Sequence, residues 1–539
     1  MPQHRKVPFS GKKKKVQLQE KRERRRHTEN EDSSVQTVCK GHPSVRVIQP
    51  QKAHGIENIN RFALNFIAET KEEILQRKQM AQINVIQSLD EIELEFDLNN
   101  IHSISKELAF PRRPKWNFSM SKESVLHREK EMFKVYVNDV VENYSNDKLS
   151  YFETNIETWR QFWRVIEMSD ILLIIADIRF ACLHFSPHLY EYLTKDLNKS
   201  VVFILNKVDL VSPSVSIAWK HYFQKAYPDV DIVLFTSYPL MFNIKTSSGR
   251  KTVKKSSEII SIGLQDILDA CSKIVRDKGI DANIGEWRTE LEKPEEFRSF
   301  YHVKNEKSSK AYFTIGCIGQ PNVGKSTIMN TLIGRKVVST SKTPGHTKHF
   351  QTYFLTENMR LCDCPGLVFP LLLPKQFQIL CGLFPIAQVK EPYSVVGYLS
   401  ARTNLVEQLN LHLTEGEYTA WEICDAWAEK RGFKIARTSR NDVYRAANHI
   451  LRLTLDGKIS IYFRPPSYNL DLDLYESHEE TKNLLESLLK FNVDNVKLTD
   501  ADFTDESETS SEQQYSESSE FDNIEIKNKF ALPETEFDS

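Results

Sequence analysis

Short apolar runs alternate with amphipathic stretches through the middle of this chain. Residues 159–168 have helical spacing, 171–176 are continuously apolar, 189–197 return to helical spacing, and 201–205 are apolar again. Runs of that length without polar interruption suit strands buried on both faces, and the stretches between them suit crossover helices. The alternation therefore predicts a mostly parallel sheet with right-handed connections and helices on both faces. Further apolar runs at 232–235 and 312–318, and one closing at Leu361 and Cys362, extend the strand set, while 327–334 reads as a helix. Upstream, 56–80 places Ile59, Phe62 and Phe66 on one helical stripe, and 122–141 repeats the pattern. Downstream, 421–431 and 441–453 predict two more helices, and 460–463, after Gly457, predicts a short strand or wing.

Two polar motifs sit at the ends of such runs. Gly319-Gln320-Pro321-Asn322-Val323-Gly324-Lys325-Ser326, followed by Thr327, lies between a predicted strand and a predicted helix. Its glycines let consecutive backbone N–H groups point at an anion, Lys325 neutralises phosphate, Ser326 offers a hydroxyl to Mg²⁺, and the helix N-terminus adds to the field. Asn206-Lys207-Val208-Asp209 closes the run at 201–205. Asp209 can accept from guanine N1–H and the exocyclic amine, the Lys207 stem can lie over the purine, and Asn206 can tie this loop to the phosphate loop. Alone, this four-residue motif is weak; beside a phosphate loop it favours guanine, hence GTP and GDP.

Asp363-Cys364-Pro365-Gly366 completes the phosphate end, with Asp363 expected near Mg²⁺ and the Gly366 N–H near the γ-phosphate. Between Ser326 and Asp363, Thr347 is the expected switch threonine on Mg²⁺, with Thr343 second. Thr236 and Ser237, after the run at 232–235, form a candidate loop touching guanine O6, although any strand followed by a turn would show that signal. The expected metal ligands are thus Ser326, Thr347 and Asp363. The base motif precedes the phosphate motif by 113 positions, the reverse of an ordinary small GTPase, which predicts a circularly permuted P-loop GTPase.

These segments resemble the circularly permuted ribosome-assembly GTPases of the HSR1/nucleostemin-like family. The residues that carry the resemblance include 157–170, 206–209, 319–326, 342–352, 363–367 and 427–432. It implies GTP binding, slow hydrolysis, and partners among large ribosomal subunit precursors or rRNA. Asp177-Ile178-Arg179 is similar to the family's Asp-Ala-Arg-x-Pro signature, with Ala181 in place of the proline. Leu367 stands where a glutamine would orient the attacking water, a substitution the family shares, so the resemblance implies that backbone, an ion or a partner does so. Asn322 resembles the asparagine with which some relatives use K⁺ as a charge donor; its alternative role is to shape the loop. Residues 370–413 are similar to the family's helical C-terminal region.

Composition adds the ends. The net charge of −1 hides 11 Lys or Arg against 2 Glu in residues 1–26, and 13 Asp or Glu against 2 Lys in 498–539. The basic arm suits rRNA phosphate or a nuclear or nucleolar address, and the acidic serine-rich end cannot bury a core. Both tails are expected to be disordered. With no long apolar run, a soluble protein of nucleus, nucleolus and cytoplasm is expected. Eight scattered cysteines fit neither a disulfide framework nor a zinc ribbon. The expected organisation is a basic arm (1–40), an N-terminal helical region (41–150), the GTPase unit (151–370, with polar insertions near 241–258 and 277–309), a helical module (371–465) with a basic cluster at Lys430, Arg431, Lys434, Arg437 and Arg440, and the acidic tail (466–539).

Overall fold

The computed structural model describes residues 47–48, 64, 66–67, 69–98, 102, 108, 110–144, 149–245, 251–280, 282, 284–293, 312–341, 344–345, 347, 349–413, 418–436 and 438–496. Both charged tails, 1–40 and 498–539, lie outside the described residues. Strands β1 (Val47–Ile48) and β2 (Phe66–Ile67) form a small antiparallel pair. The main strands are β3 (Ile171–Asp177), β4 (Ser200–Asn206), β5 (Asp231–Lys245), β6 (Lys251–Ile262), β7 (Phe313–Gly319), β8 (Gln351–Phe354) and β9 (Met359–Asp363).

These make a seven-stranded sheet in the order β6-β5-β4-β3-β7-β9-β8. The five inner strands run parallel, and β6 and β8 close the two edges antiparallel. Strand β7 sits beside β3 although 135 residues lie between the end of one, Asp177, and the start of the other, Phe313. A break in the chain order at that junction is what permutation requires: the base-motif half comes first in sequence and the phosphate half second, yet they share one sheet.

The helices used below are α1 (Lys71–Ile83), α2 (Lys122–Asn143), α3 (Ile156–Met168), α4 (Pro213–Ala226), α5 (Leu264–Lys278), α6 (Ile284–Glu292), α7 (Lys325–Ile333), α8 (Lys375–Leu380), α9 (Tyr393–Ser400), α10 (Ala420–Lys430), α11 (Val443–Leu455), α12 (Leu472–Ser477) and α13 (Glu479–Val496). Period-two alternation along β3 divides its side chains between two cores. Leu172, Ile174 and Ala176 join α3, α4 and the C-terminal helices, whereas Ile171, Leu173 and Ile175 face α5, α6 and α7. The C-terminal helices therefore share an apolar core with the sheet.

The two ends of the GTPase unit are stitched together. Ser150 N–H donates to Leu371 O at 2.9 Å, Glu153 N–H to Val368 O at 3.0 Å, and Gln378 bridges both backbone groups of Tyr151 at 2.7 and 2.9 Å. The chain just beyond Gly366 is thus fixed to the strand-like entry before α3.

Four segments differ from their sequence expectation. Phe66 lies in β2, and the helix starts only at Lys71, where Thr70 and Glu73 form a reciprocal capping box; Ile59 and Phe62 lie outside the described residues. The polar stretch from 277 contains α6, because Trp287 is buried and its indole donates to Leu332 O at 2.9 Å. Residues 460–463 form no strand; Phe463 N–H donates to Arg179 O at 2.9 Å, and Arg464 bridges Glu95. The acidic end begins later than 466, since α12 and α13 pack on α4, with Leu484 and Leu488 buried. Among the described residues no helix is long and apolar enough to cross a membrane.

Candidate nucleotide site

Four parallel strands deliver their polar ends to one edge. Register pairs Asp177 with Asn206, Ile175 with Gly319, and Cys317 with Asp363, so the base motif, the glycine loop and the aspartate emerge side by side at the carboxyl ends of β4, β7 and β9. Open α/β sheets bind ligands in this crevice, where the chain order reverses.

At the phosphate end, glycines are obligatory. Gly324 has φ +98°, and a Cβ there would lie 2.1 Å from Asn206 Nδ2; one at Gly366 would lie 2.8 Å from Pro321 Cα and N; one at Gly319 (φ +153°) would lie 2.5 Å from Ile175 O. Helix α7 starts directly after Gly324 and stops at Gly334 (φ +78°). Thr327 N–H is taken by Gly324 O at 3.1 Å inside that first turn. Lys325 is buried, and its ammonium donates to Gly319 O at 3.0 Å and Gln320 O at 2.6 Å. Gly324→Ala should therefore both strain the loop and push Asn206 away. Calorimetric GDP affinity is expected to fall by roughly tenfold or more, and an unchanged affinity would contradict this geometry.

The donor set fits Mg²⁺. Asp363 is fully buried, its Oδ1 has no hydrogen-bond partner, and Ser326 Oγ donates to its Oδ2 at 3.3 Å. Burial pushes the Asp363 carboxyl up to about 6, opposed by Lys325. A desolvated carboxylate with one unsatisfied oxygen beside a hydroxyl is what a hard cation would complete. Ser326 and Asp363 are brought together; Thr347 is half-buried, in a segment that is anchored on both sides. Phe350 N–H donates to Gln161 at 2.7 Å, and Gly345 lies against Leu64. Thr343 lies outside the described residues. Cys364 N–H donates to Cys317 O at 3.2 Å, and the side chains of Cys364 and Leu367 are buried, Leu367 1% exposed, so Leu367 offers the pocket no polar group. Pro365 joins them in the same buried stretch.

At the base end the predicted tie exists. Asn206 Nδ2 donates to Val323 O at 2.7 Å, and its Oδ1 accepts Lys207 N–H at 2.8 Å. Lys207 adopts φ +66°, a left-handed conformation held because its ammonium reaches Asn322 O and Asp177 Oδ2, both at 2.8 Å. Val208 is buried beneath the loop. Asp209 Oδ1 accepts from Thr236 Oγ1 at 2.5 Å, and its Oδ2 accepts from the Tyr238 hydroxyl. Thr236 and Ser237 lie inside β5, paired with Ile262 and Ser261, and not in the expected loop; the insertion after them prolongs β5 and β6 as a hairpin. Asn322, at φ +60°, gives its amide N–H to Gly382 O at 2.7 Å, a bond that fits the loop-shaping alternative.

A profile described as "50S ribosome-binding GTPase" matches residues 314–411. Guanine nucleotide-binding protein-like 1 of Rattus norvegicus is 41% identical over 545 residues, covering 89% of each chain. The chain belongs to the circularly permuted GTPases. Membership of this GTPase family assigns guanine-nucleotide binding and GTP hydrolysis in general. The Homo sapiens guanine nucleotide-binding protein-like 1 is likewise 41% identical, over 546 residues and 89% of each chain. Large subunit GTPase 1 of Saccharomyces cerevisiae is 31% identical over 72% of this chain and 62% of its own. Among solved structures, GNP-bound YlqF from T. maritima aligns over 57% of this chain and 98% of its own, with 16% identity and a TM-score of 0.34.

Sequence reasoning about this GTPase missed Tyr238, for which no local signal exists, and gave Asp177 and Arg179 no role beyond a family mark. Asp177 was findable: it ends a seven-residue apolar strand, the same cue that selects Asn206. Of the basic cluster, Lys430 donates to Leu409 O and Asn410 O, Arg431 lies over the Trp427 ring, and Lys434 donates to Asn441, while Arg437 lies outside the described residues. These side chains are partly committed to the fold. His221, His478 and Glu480 cluster where α4 meets α13, but the Lys220 ammonium already sits 2.5 Å from Glu480, and His478 Nδ1 accepts the Glu480 N–H, which makes this a charged junction.

Proposed function

We propose that this GTPase is a slowly hydrolysing nucleotide switch acting on large ribosomal subunit precursors, in the nucleus or nucleolus and the cytoplasm. The reading is carried by the Asn206–Val323 hydrogen bond, which joins a guanine-selective loop to a phosphate loop in one crevice. The names of the yeast relative and of the matching family support the ribosomal target.

In this reading Asp209 accepts from the guanine edge, Lys207 lies against the purine, and Thr236 and Ser237 border the base. The backbone N–H groups of residues 319–327 and the Lys325 ammonium hold the phosphates. Ser326 and Asp363 hold Mg²⁺, which when bound offsets charge on the β- and γ-phosphate oxygens. Thr347 is the third proposed ligand, supplied by the segment between Gly345 and Phe350. Gly366 offers its N–H to the γ-phosphate, near Pro321. With Leu367 buried and no side-chain base assigned, water is left to backbone, an ion or a partner, so unaided turnover is slow. Asn322 Oδ1 is the atom that would be offered to K⁺, since its Nδ2 is given to Gly382 O.

Phosphate release from purified protein, in K⁺ and in Na⁺, with and without large ribosomal subunits, tests this reading. Slow basal release that rises with the particles is expected. Absence of release under every condition would leave a GTP-dependent binding module without turnover.

A further inference from the structure

Beneath the base-reading loop lies a buried charge cluster. Asp177 and Arg179 are each 2% exposed. Arg179 Nε donates to Asp177 Oδ1 at 3.0 Å, Nη2 to Oδ2 at 2.8 Å, and Nη1 to Thr454 O at 3.0 Å. Asp177 Oδ2 also takes the Lys207 ammonium, whose other bond is to Asn322 O in the phosphate loop. One carboxylate thus connects β3, the base motif, the phosphate loop and, through Arg179, the last turn of α11.

We infer that Arg179 is a positioning residue which locks Lys207 for guanine recognition and couples the base pocket to the C-terminal helical module. The inference rests on the nucleotide reading above and extends it to a specific mechanical link.

Several observations make the link tight. The Arg179 carbonyl accepts Phe463 N–H at 2.9 Å, so the residue is gripped on both its side chain and its backbone by the segment that follows α11. Asn322 holds Gly382 at the end of α8, and a Cβ at Gly457 would come within 2.6 Å of Leu210, next to the base motif. Module and pocket therefore meet at three places. Charge adds rigidity. Burial alone would raise the Asp177 carboxyl, but Arg179 and Lys207 outweigh it and hold it well below the usual range. His184, whose Nδ1 accepts Asp177 N–H, is pushed down by burial to about 4 and stays neutral, and burial pushes the neighbouring Cys381 thiol up. The charged groups at this junction are then Asp177, Arg179 and Lys207, with Asp209 beyond. Any displacement of Lys207 as a purine binds is passed through Asp177 and Arg179 to the end of α11. By linkage, placing α11 must in turn alter affinity for the base.

Hydrogen exchange of the full-length protein tests this. Saturating GDP is expected to slow exchange in residues 452–463 by roughly fivefold or more. Arg179→Lys keeps the charge, but an ammonium cannot make the two-pronged bond to Asp177 and reach Thr454 as well. In that variant GDP affinity should fall by roughly 10- to 100-fold, and GDP-dependent protection at 452–463 should vanish while the protection in residues 319–327 persists at saturation. A purely structural arginine would lower the thermal midpoint and leave that GDP response intact, which would overturn the inference. If the variant does not fold, the wild-type response decides: GDP-dependent protection at 452–463 supports the link, and its absence overturns it. Failure of wild-type protein to bind GDP at all would instead overturn the nucleotide reading, and this inference with it.

Discussion

Lys325→Ala is expected to weaken GDP and GTP binding by about 3 kcal/mol or more, roughly a hundredfold. The ammonium is buried and faces loop carbonyls of Gly319 and Gln320, so it is a compact positive charge held inside the glycine cradle. Phosphate oxygens would exchange those neutral acceptors for charged ones, and charge-assisted bonds in a desolvated site are the strong ones. Alanine removes the charge and also frees the two carbonyls it ties. Lys325→Met keeps the apolar stem and separates these effects: it should lose affinity almost as severely with a smaller fall in thermal midpoint. Fluorescent GDP titration beside thermal unfolding provides both numbers. An affinity within twofold of wild type in the methionine variant would remove Lys325 from the site.

Asp209→Asn should exchange guanine for xanthine preference, with GDP affinity falling by roughly a hundredfold or more. The asparagine turns one of two acceptors into a donor, which opposes the guanine exocyclic amine and suits the xanthine oxygen. The surroundings sharpen the expectation. Thr236 donates to one oxygen of this carboxylate and Tyr238 to the other, so in the asparagine one hydroxyl keeps its acceptor while the other must reverse and accept from the new amide N–H. Part of the loss will therefore come from the protein and not from the base. Competition calorimetry with GDP and XDP reads the swap directly; retention of guanine preference would sink the assignment of Asp209.

The same two residues show how far the chain could be read in one dimension. Asn206, Asp209, Lys325 and Asp363 stand at the ends of apolar runs or beside glycines, so strand, turn and chemistry are written in contiguous letters. The capping box at Thr70 shows the limit of such reading: periodicity alone extended that helix upstream through Phe66, because a single apolar stripe does not separate a helix from a paired strand. Thr347 marks another limit. Its residue type and spacing suit a metal ligand, yet its neighbours Gly345 and Phe350 are held by Leu64 and Gln161, partners distant in sequence.

By itself the sequence determined the parallel α/β unit, the permuted order of its motifs and the candidate groups for phosphate and guanine, since each depends on spacing within a few residues. Tertiary structure alone decided that Arg179 grips Thr454 across 275 positions, that Asn322 is given to Gly382, and that Tyr238 reaches Asp209. Buried polar groups must find partners once water is excluded. Which partner each one finds is fixed by how distant segments pack, and no local pattern along the chain records that.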